Sequence, residues 1–143
     1  MCFPPDICHY TEDGRAKIHA LQKAIDPATL EQLMRSPILG RSAELNDNRI
    51  SLYIAQRGKC AITGQPLQFG DMEVHHILPV SMGGKDDYKN LALLAYDAHK
   101  LVHAANQNTI DKYLSKMQRF KVNFQRLNKM RKCVGLSEIS TNR

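Results

Sequence analysis

The spacing of apolar and polar positions changes along the chain, and the changes divide it into elements. From Asp13 to about Met34 apolar residues recur at helical spacing in two pieces, with Asp26 as N-cap and Pro27 at the first helical position of the second. "RSPILGRS" then interrupts the pattern. A further helix is predicted from Ala43 to Arg57, where Leu45, Ile50, Leu52, Tyr53 and Ile54 supply the apolar side and Gly58 stops it. Between Lys59 and Leu94 the period shortens to that of strands. "GQPLQFGDMEVHHI" carries one strand and "NLALLAY" the other, with a Gly-rich loop around Gly83 and Gly84 between them. "DAHKLVHAAN" is helical in composition. In "TIDKYLSKMQRFKVNFQRLNKMRKCVG" the residues Ile110, Tyr113, Leu114, Met117, Phe120, Phe124, Leu127 and Met130 form one apolar stripe, capped by Thr109 and ended by Gly135. The pattern predicts an α+β fold in three parts: a helical region over 1–57, a core with the strands over 58–106, and a basic amphipathic helix and tail over 107–143.

Composition narrows the function. A chain of 143 residues and 16.2 kDa is the size of one domain and excludes a large polymerase or multidomain enzyme. With 43% hydrophobic and 24% charged residues it should bury a core instead of remaining disordered. A net charge of +6 and a pI near 9.3 point to a polyanionic partner, nucleic acid being the commonest, although composition alone leaves an anionic membrane surface open. Apolar runs are short and broken by charges, and "MCFPPDICHY" lacks the basic start and apolar stretch of a signal peptide, so the expected location is the cytoplasm. Cys2, Cys8, Cys60 and Cys133 offer no C-x-x-C pair and read as reduced thiols. The last predicted helix carries Lys112, Lys116, Arg119, Lys121, Arg126, Lys129, Arg131 and Lys132 against Asp111. It is either a solvated face over a core stripe or a phosphate-tracking arm whose binding falls steeply with salt.

Candidate chemistry begins at "EVHHILPVSMGG". Neighbouring side chains on a regular strand leave opposite faces, so His75 and His76 either do different jobs or sit where the strand bends. His99 and His103 lie four apart on the predicted helix and project from one face. Such a pair alone is more often incidental than ligating; the doublet upstream changes its weight. His75, His99 and His103 together could supply three nitrogen ligands to a divalent metal and leave positions open for water and a phosphate oxygen. His76 is then free to act as a base, imidazole being the side chain that most readily takes a proton from water at working pH. Lys85, Lys89 and Lys100 border this site and suit phosphate contacts. Glu73, two before His75 and on the same strand face, is placed to touch a metal-bound water but reads first as a solvent-facing acid, Asp86 and Asp87 only break the basic character of the loop, and His9 and His19 read as surface residues.

"VHHILPVSMGGKDDYKNLALLAYDAHKLVH" resembles the HNH endonuclease motif: a histidine doublet followed by proline, a Gly-rich loop, an asparagine opening the second strand, and a closing histidine on a helix. The fold this resemblance implies is the ββα-metal (His-Me finger) core, here with flanking N-terminal helices and a basic C-terminal helix. It implies His75 and His99 as metal ligands, His76 as general base, Asn90 as the residue that pins the loop and orients the base, and His103 as the extra ligand of some members. "NDNRISLYIAQRGKCAITGQPL" and "EDGRAKIHALQ" further resemble the C-terminal part of group II intron-encoded proteins, which implies nicking of DNA to prime reverse transcription, with intron RNA and a reverse transcriptase domain as partners.

The sequence departs from members that hold a structural zinc with two C-x-x-C pairs, since "CAIT" and "AYDA" leave Cys60 alone beside Thr63, Ala95 and Ala98. Cys60 then reads as a small buried hydrophobe. Three imidazoles suit zinc or nickel by ligand softness, whereas the resemblance implies magnesium or manganese as the working ion. The expected function is a metal-dependent DNA endonuclease or nickase. The alternatives are a noncatalytic DNA-binding module with a structural zinc and a nuclease that needs a partner domain.

Overall fold

The computed structural model describes residues 25–140. The helical piece expected before Ile25 lies outside them, as do His9, His19, Cys2 and Cys8. Helix α1 (Pro27–Arg35) starts as the sequence dictates: Asp26 caps it by accepting from the Ala28 N–H at 3.1 Å, with proline at the first helical position. Helix α2 (Ala43–Ala55) is capped by Ser42, whose Oγ accepts from the Leu45 N–H at 2.9 Å. It ends where Gly58 adopts a left-handed φ of 70°.

Strand β1 (Glu73–His76) pairs antiparallel with β2 (Leu91–Leu94), in the register Glu73 with Leu94, Val74 with Leu93, His75 with Ala92 and His76 with Leu91. All four β2 residues are buried, as a strand covered on both faces requires. Its outer edge is closed by the Gln56 side chain, which donates to the Leu93 carbonyl and accepts from the Leu93 N–H, both at 3.0 Å. A side-chain amide thus takes the place of a third strand. Helix α3 (Tyr96–His103) follows β2 after Ala95 and buries Ala98, Leu101 and Val102, completing a β-β-α unit. The core joins β2 and α3 to Leu45, Leu52, Tyr53 and Ile54 of α2 and to Cys60, Ile62 and Leu67 of the segment between α2 and β1.

The C-terminal segment differs from the single helix expected there. It forms two, α4 (Gln107–Lys116) and α5 (Phe124–Cys133), and the cap of the first is Asn106, not Thr109. The break has a tertiary cause. The Asn123 N–H donates to the Ile62 carbonyl at 2.7 Å instead of to a helical partner, and the Asn123 side chain caps α5 by accepting from the Arg126 N–H at 3.1 Å. The apolar stripe is divided accordingly: Ile110 and Met117 are buried from one side of the break, Leu127 and Met130 from the other.

Candidate active site

Strand alternation sets the first layer of the site. His75 points inward, opposite the small Ala92, and is 2% exposed. Helix α3 brings His99 and His103 to it from the other side, one turn apart. The three rings stand edge to face, with centroids 5.2 Å apart for His75 and His99, 5.4 Å for His75 and His103, and 4.9 Å for His99 and His103. One ring nitrogen from each falls within 4.8 Å of the others, a spacing that fits a single shared ion. The Nε2 of His75 is buried without a hydrogen-bond partner. A buried polar atom left unsatisfied beside two more imidazole nitrogens fits a metal ligand and is costly otherwise.

Electrostatics agree with that reading. Burial, and then the neighbouring His99, His103 and His76, push His75 down to about 3, so it is neutral and able to ligate at neutral pH. His103 is lowered as well, first by burial and then by His99 and Lys100, with Glu73 opposing. Glu73 is not the solvent-facing acid expected from sequence. Its carboxylate bonds to His99 Nδ1, which fixes the ring and leaves Nε2 to the site.

His76 leaves the opposite face of β1, as alternation requires, and sits half-buried with its Nε2 2.7 Å from Asp86 Oδ1. Asn90 pins the loop between the strands: its Oδ1 accepts from the Leu78 N–H at 2.8 Å, and its Nδ2 donates to the carbonyls of Leu78 at 3.1 Å and Lys85 at 2.9 Å. The His76 ring is held by Asp86, one residue beyond the carbonyl that Asn90 grips.

Residues 59–105 match the family model for HNH endonuclease, the span that contains the doublet, the asparagine and the closing histidines. Over that segment the chain is similar to HNH endonucleases. A stretch of 31 residues is also 58% identical to a protein named probable mobile endonuclease C of Enterobacteria phage T4, covering 22% of this chain and 15% of the phage protein. No solved structure matches the chain.

Within that segment, Lys85 and Lys89 are exposed and line an open pocket with Leu78, Gly83, Gly84, Asn90 and the acidic Asp87. Lys100 lies over the Tyr96 ring at 5.2 Å, Lys112 and Lys116 flank the Tyr113 ring at 5.5 and 5.3 Å, and Arg119 lies 5.0 Å from the Phe120 centroid. In each case the charged group itself lies over the aromatic ring, at cation–π distance. Arg131, counted with the basic face in the sequence, is instead buried. Its guanidinium donates to the carbonyls of Leu101 at 2.8 Å, Ala104 at 2.7 Å and Ser137 at 2.8 Å, and so caps the end of α3. Where zinc-bearing members have cysteines, Cys60, Thr63, Ala95 and Ala98 are all buried, and the Ala95 N–H donates to Cys60 Sγ at 3.4 Å. Among the described residues no helix is long and apolar enough to cross a membrane.

Two acids that contact the candidate histidines were undervalued from sequence. Glu73 had a signal, its position two residues before a candidate ligand. Asp86 had none, since only the fold brings it back onto His76.

Proposed function

We propose that the chain is a metal-dependent DNA endonuclease, with His75, His99 and His103 as ligands, His76 as general base and Asn90 as the residue that fixes the loop. The observation that carries the reading is the unpartnered, buried Nε2 of His75 within a cluster of three imidazoles. His99 and His103 reach the surface, so the cluster opens outward as a catalytic site does, and that favours this reading over a closed structural zinc. His75, His99 and His103 would hold a divalent ion, and such an ion would supply charge relief at the phosphate and at the leaving 3′ oxygen. His76 takes the proton from the attacking water; the water oxygen bonds to phosphorus as the P–O3′ bond breaks.

Three imidazoles bind zinc or nickel more tightly than magnesium, whereas magnesium or manganese is the proposed working ion, on the family resemblance. Lys85, Lys89, Lys100, Lys112, Lys116 and Arg119 are the proposed phosphate contacts, with a salt-dependent contribution that carries no sequence information. A mobile-element setting is supported by the name of the phage relative. The finer setting, a nickase of a group II intron-type protein acting with intron RNA and a reverse transcriptase domain, rests on the resemblance of the segments before the motif.

The test is conversion of supercoiled plasmid by the purified chain in magnesium, manganese, zinc and chelator. Cleavage should require metal and fall by roughly 10²–10⁴ in His76→Ala, the usual contribution of a positioned base, with zinc and DNA affinity retained. Full activity in that variant would remove His76 from the mechanism.

A further inference from the structure

Asp86 does more than interrupt the basic character of its loop. Its Oδ1 lies 2.7 Å from His76 Nε2, and its Oδ2 accepts from the Ser42 hydroxyl at 2.6 Å. Its backbone carbonyl accepts from Asn48 Nδ2 at 2.8 Å. The preceding carbonyl, of Lys85, accepts from Asn90 at 2.9 Å. The loop is therefore gripped from two sides, by Asn90 of the HNH core and by Ser42 and Asn48 at the start of α2, a helix outside the segment 59–105 that matches the family.

We infer that Asp86 is a positioning residue for His76, itself held by Ser42 and Asn48, so that α2 is part of the nuclease site and not only a buttress; the inference rests on His76 being the general base. An ionised carboxylate accepts hydrogen bonds and cannot donate them. The carboxyl of Asp86 is held below its ordinary range, first by the bond to His76 and then by that from Ser42, so it is charged at working pH. In the neutral ring that a base requires, Nε2 then carries the proton in this contact and Nδ1 the lone pair. The nitrogen that takes the proton from water is thereby assigned as Nδ1. The same carboxylate stabilises the imidazolium that forms when it does.

Ser42 links this chain of contacts to helix formation. Its hydroxyl oxygen accepts from the Leu45 N–H while its proton goes to Asp86, so the residue that starts α2 also sets the carboxylate. An aspartate tethered at three points loses little orientational freedom when His76 turns over.

The experiment compares steady-state cleavage of a short duplex in manganese by the full chain and by Asp86→Ala, Asp86→Asn, Ser42→Gly, His76→Ala and the His76→Ala/Asp86→Ala double variant. Zinc affinity and thermal unfolding are measured on each. Glycine is tolerated at an N-cap, so Ser42→Gly removes the hydroxyl at small cost to the helix. Asp86→Ala should lower kcat roughly 10- to 100-fold, part of what the base contributes, with KM and zinc affinity within about twofold. Ser42→Gly should show a smaller fall of the same kind. The double variant should be no slower than His76→Ala, because the acid acts only through that ring. Wild-type kcat in Asp86→Ala, with His76→Ala slowed by roughly 10²–10⁴, overturns the role of Asp86 and leaves the base in place. Wild-type activity in His76→Ala overturns both. A double variant much slower than His76→Ala shows that Asp86 acts by another route. If Asp86→Ala fails to fold, Asp86→Asn decides: it loses the charge, and an unchanged kcat in it overturns the inference.

Discussion

Of the three clustered imidazoles, His75 is the most deeply buried. His75 has an ordinary pKa of 6.5 and is pushed down to about 3, chiefly by burial. In the unfolded chain it titrates near its ordinary value, so below that pH the unfolded state takes up a proton the native state refuses. Stability of the metal-free protein therefore falls as pH drops from about 6.5 towards 3, and His103, shifted the same way, adds to the slope. The expected loss from His75 is about 1–2 kcal/mol between pH 6.5 and 5, read by urea unfolding in chelator. In His75→Gln the slope should shrink by that amount, and an undiminished slope would show that burial does not hold the ring neutral. At this scale the histidines and Asn90 were legible in the sequence because doublet, loop and helix spacing are local. Asp86 and Ser42 were not, since 44 positions separate residues that share a hydrogen bond.

At the scale of elements, the loop between β1 and β2 is the part with least tolerance. A Cβ on Gly84 would lie 1.8 Å from the Leu78 carbonyl oxygen and 2.9 Å from Asn90 Nδ2, so any side chain there drives the two ends of the loop apart. Gly84→Ala should cost roughly 1–3 kcal/mol by chemical denaturation, the usual penalty of overpacking, and should slow cleavage by disturbing the residues that Asn90 holds. A variant with wild-type stability and rate would mean that the loop re-forms without this close approach. The elements themselves were largely readable: Asp26-Pro27, the apolar face of α2, the strand with the doublet and the helix of "DAHKLVHA" all stand where the pattern puts them. The long C-terminal helix does not, although its apolar period runs on through the break. Periodicity records which residues are buried. It carries no record of the bond from Asn123 to the Ile62 carbonyl that turns the chain away.

For the whole molecule the question is whether the ion holds the fold or the fold holds the ion. Among the described residues the apolar core runs from Ile25 to Ile139 through β2, α3 and the buried residues of α4 and α5. The helix that carries His99 and His103 is fixed by its own buried face and by Arg131 on its terminal carbonyls. A frame assembled in this way does not need metal to form. Chelation should therefore leave helical circular dichroism and a cooperative melt in place, in contrast to a structural zinc site, where binding energy is folding energy. Zinc at about 100 times its Kd should then add about 2.7 kcal/mol, or roughly 10 °C in Tm for a chain of this size. Collapse of the helical signal in chelator would overturn this account and favour a zinc-stabilised binding module. Survival of the fold with loss of cleavage would separate the two roles of the histidines, with packing holding the site and the ion serving the chemistry.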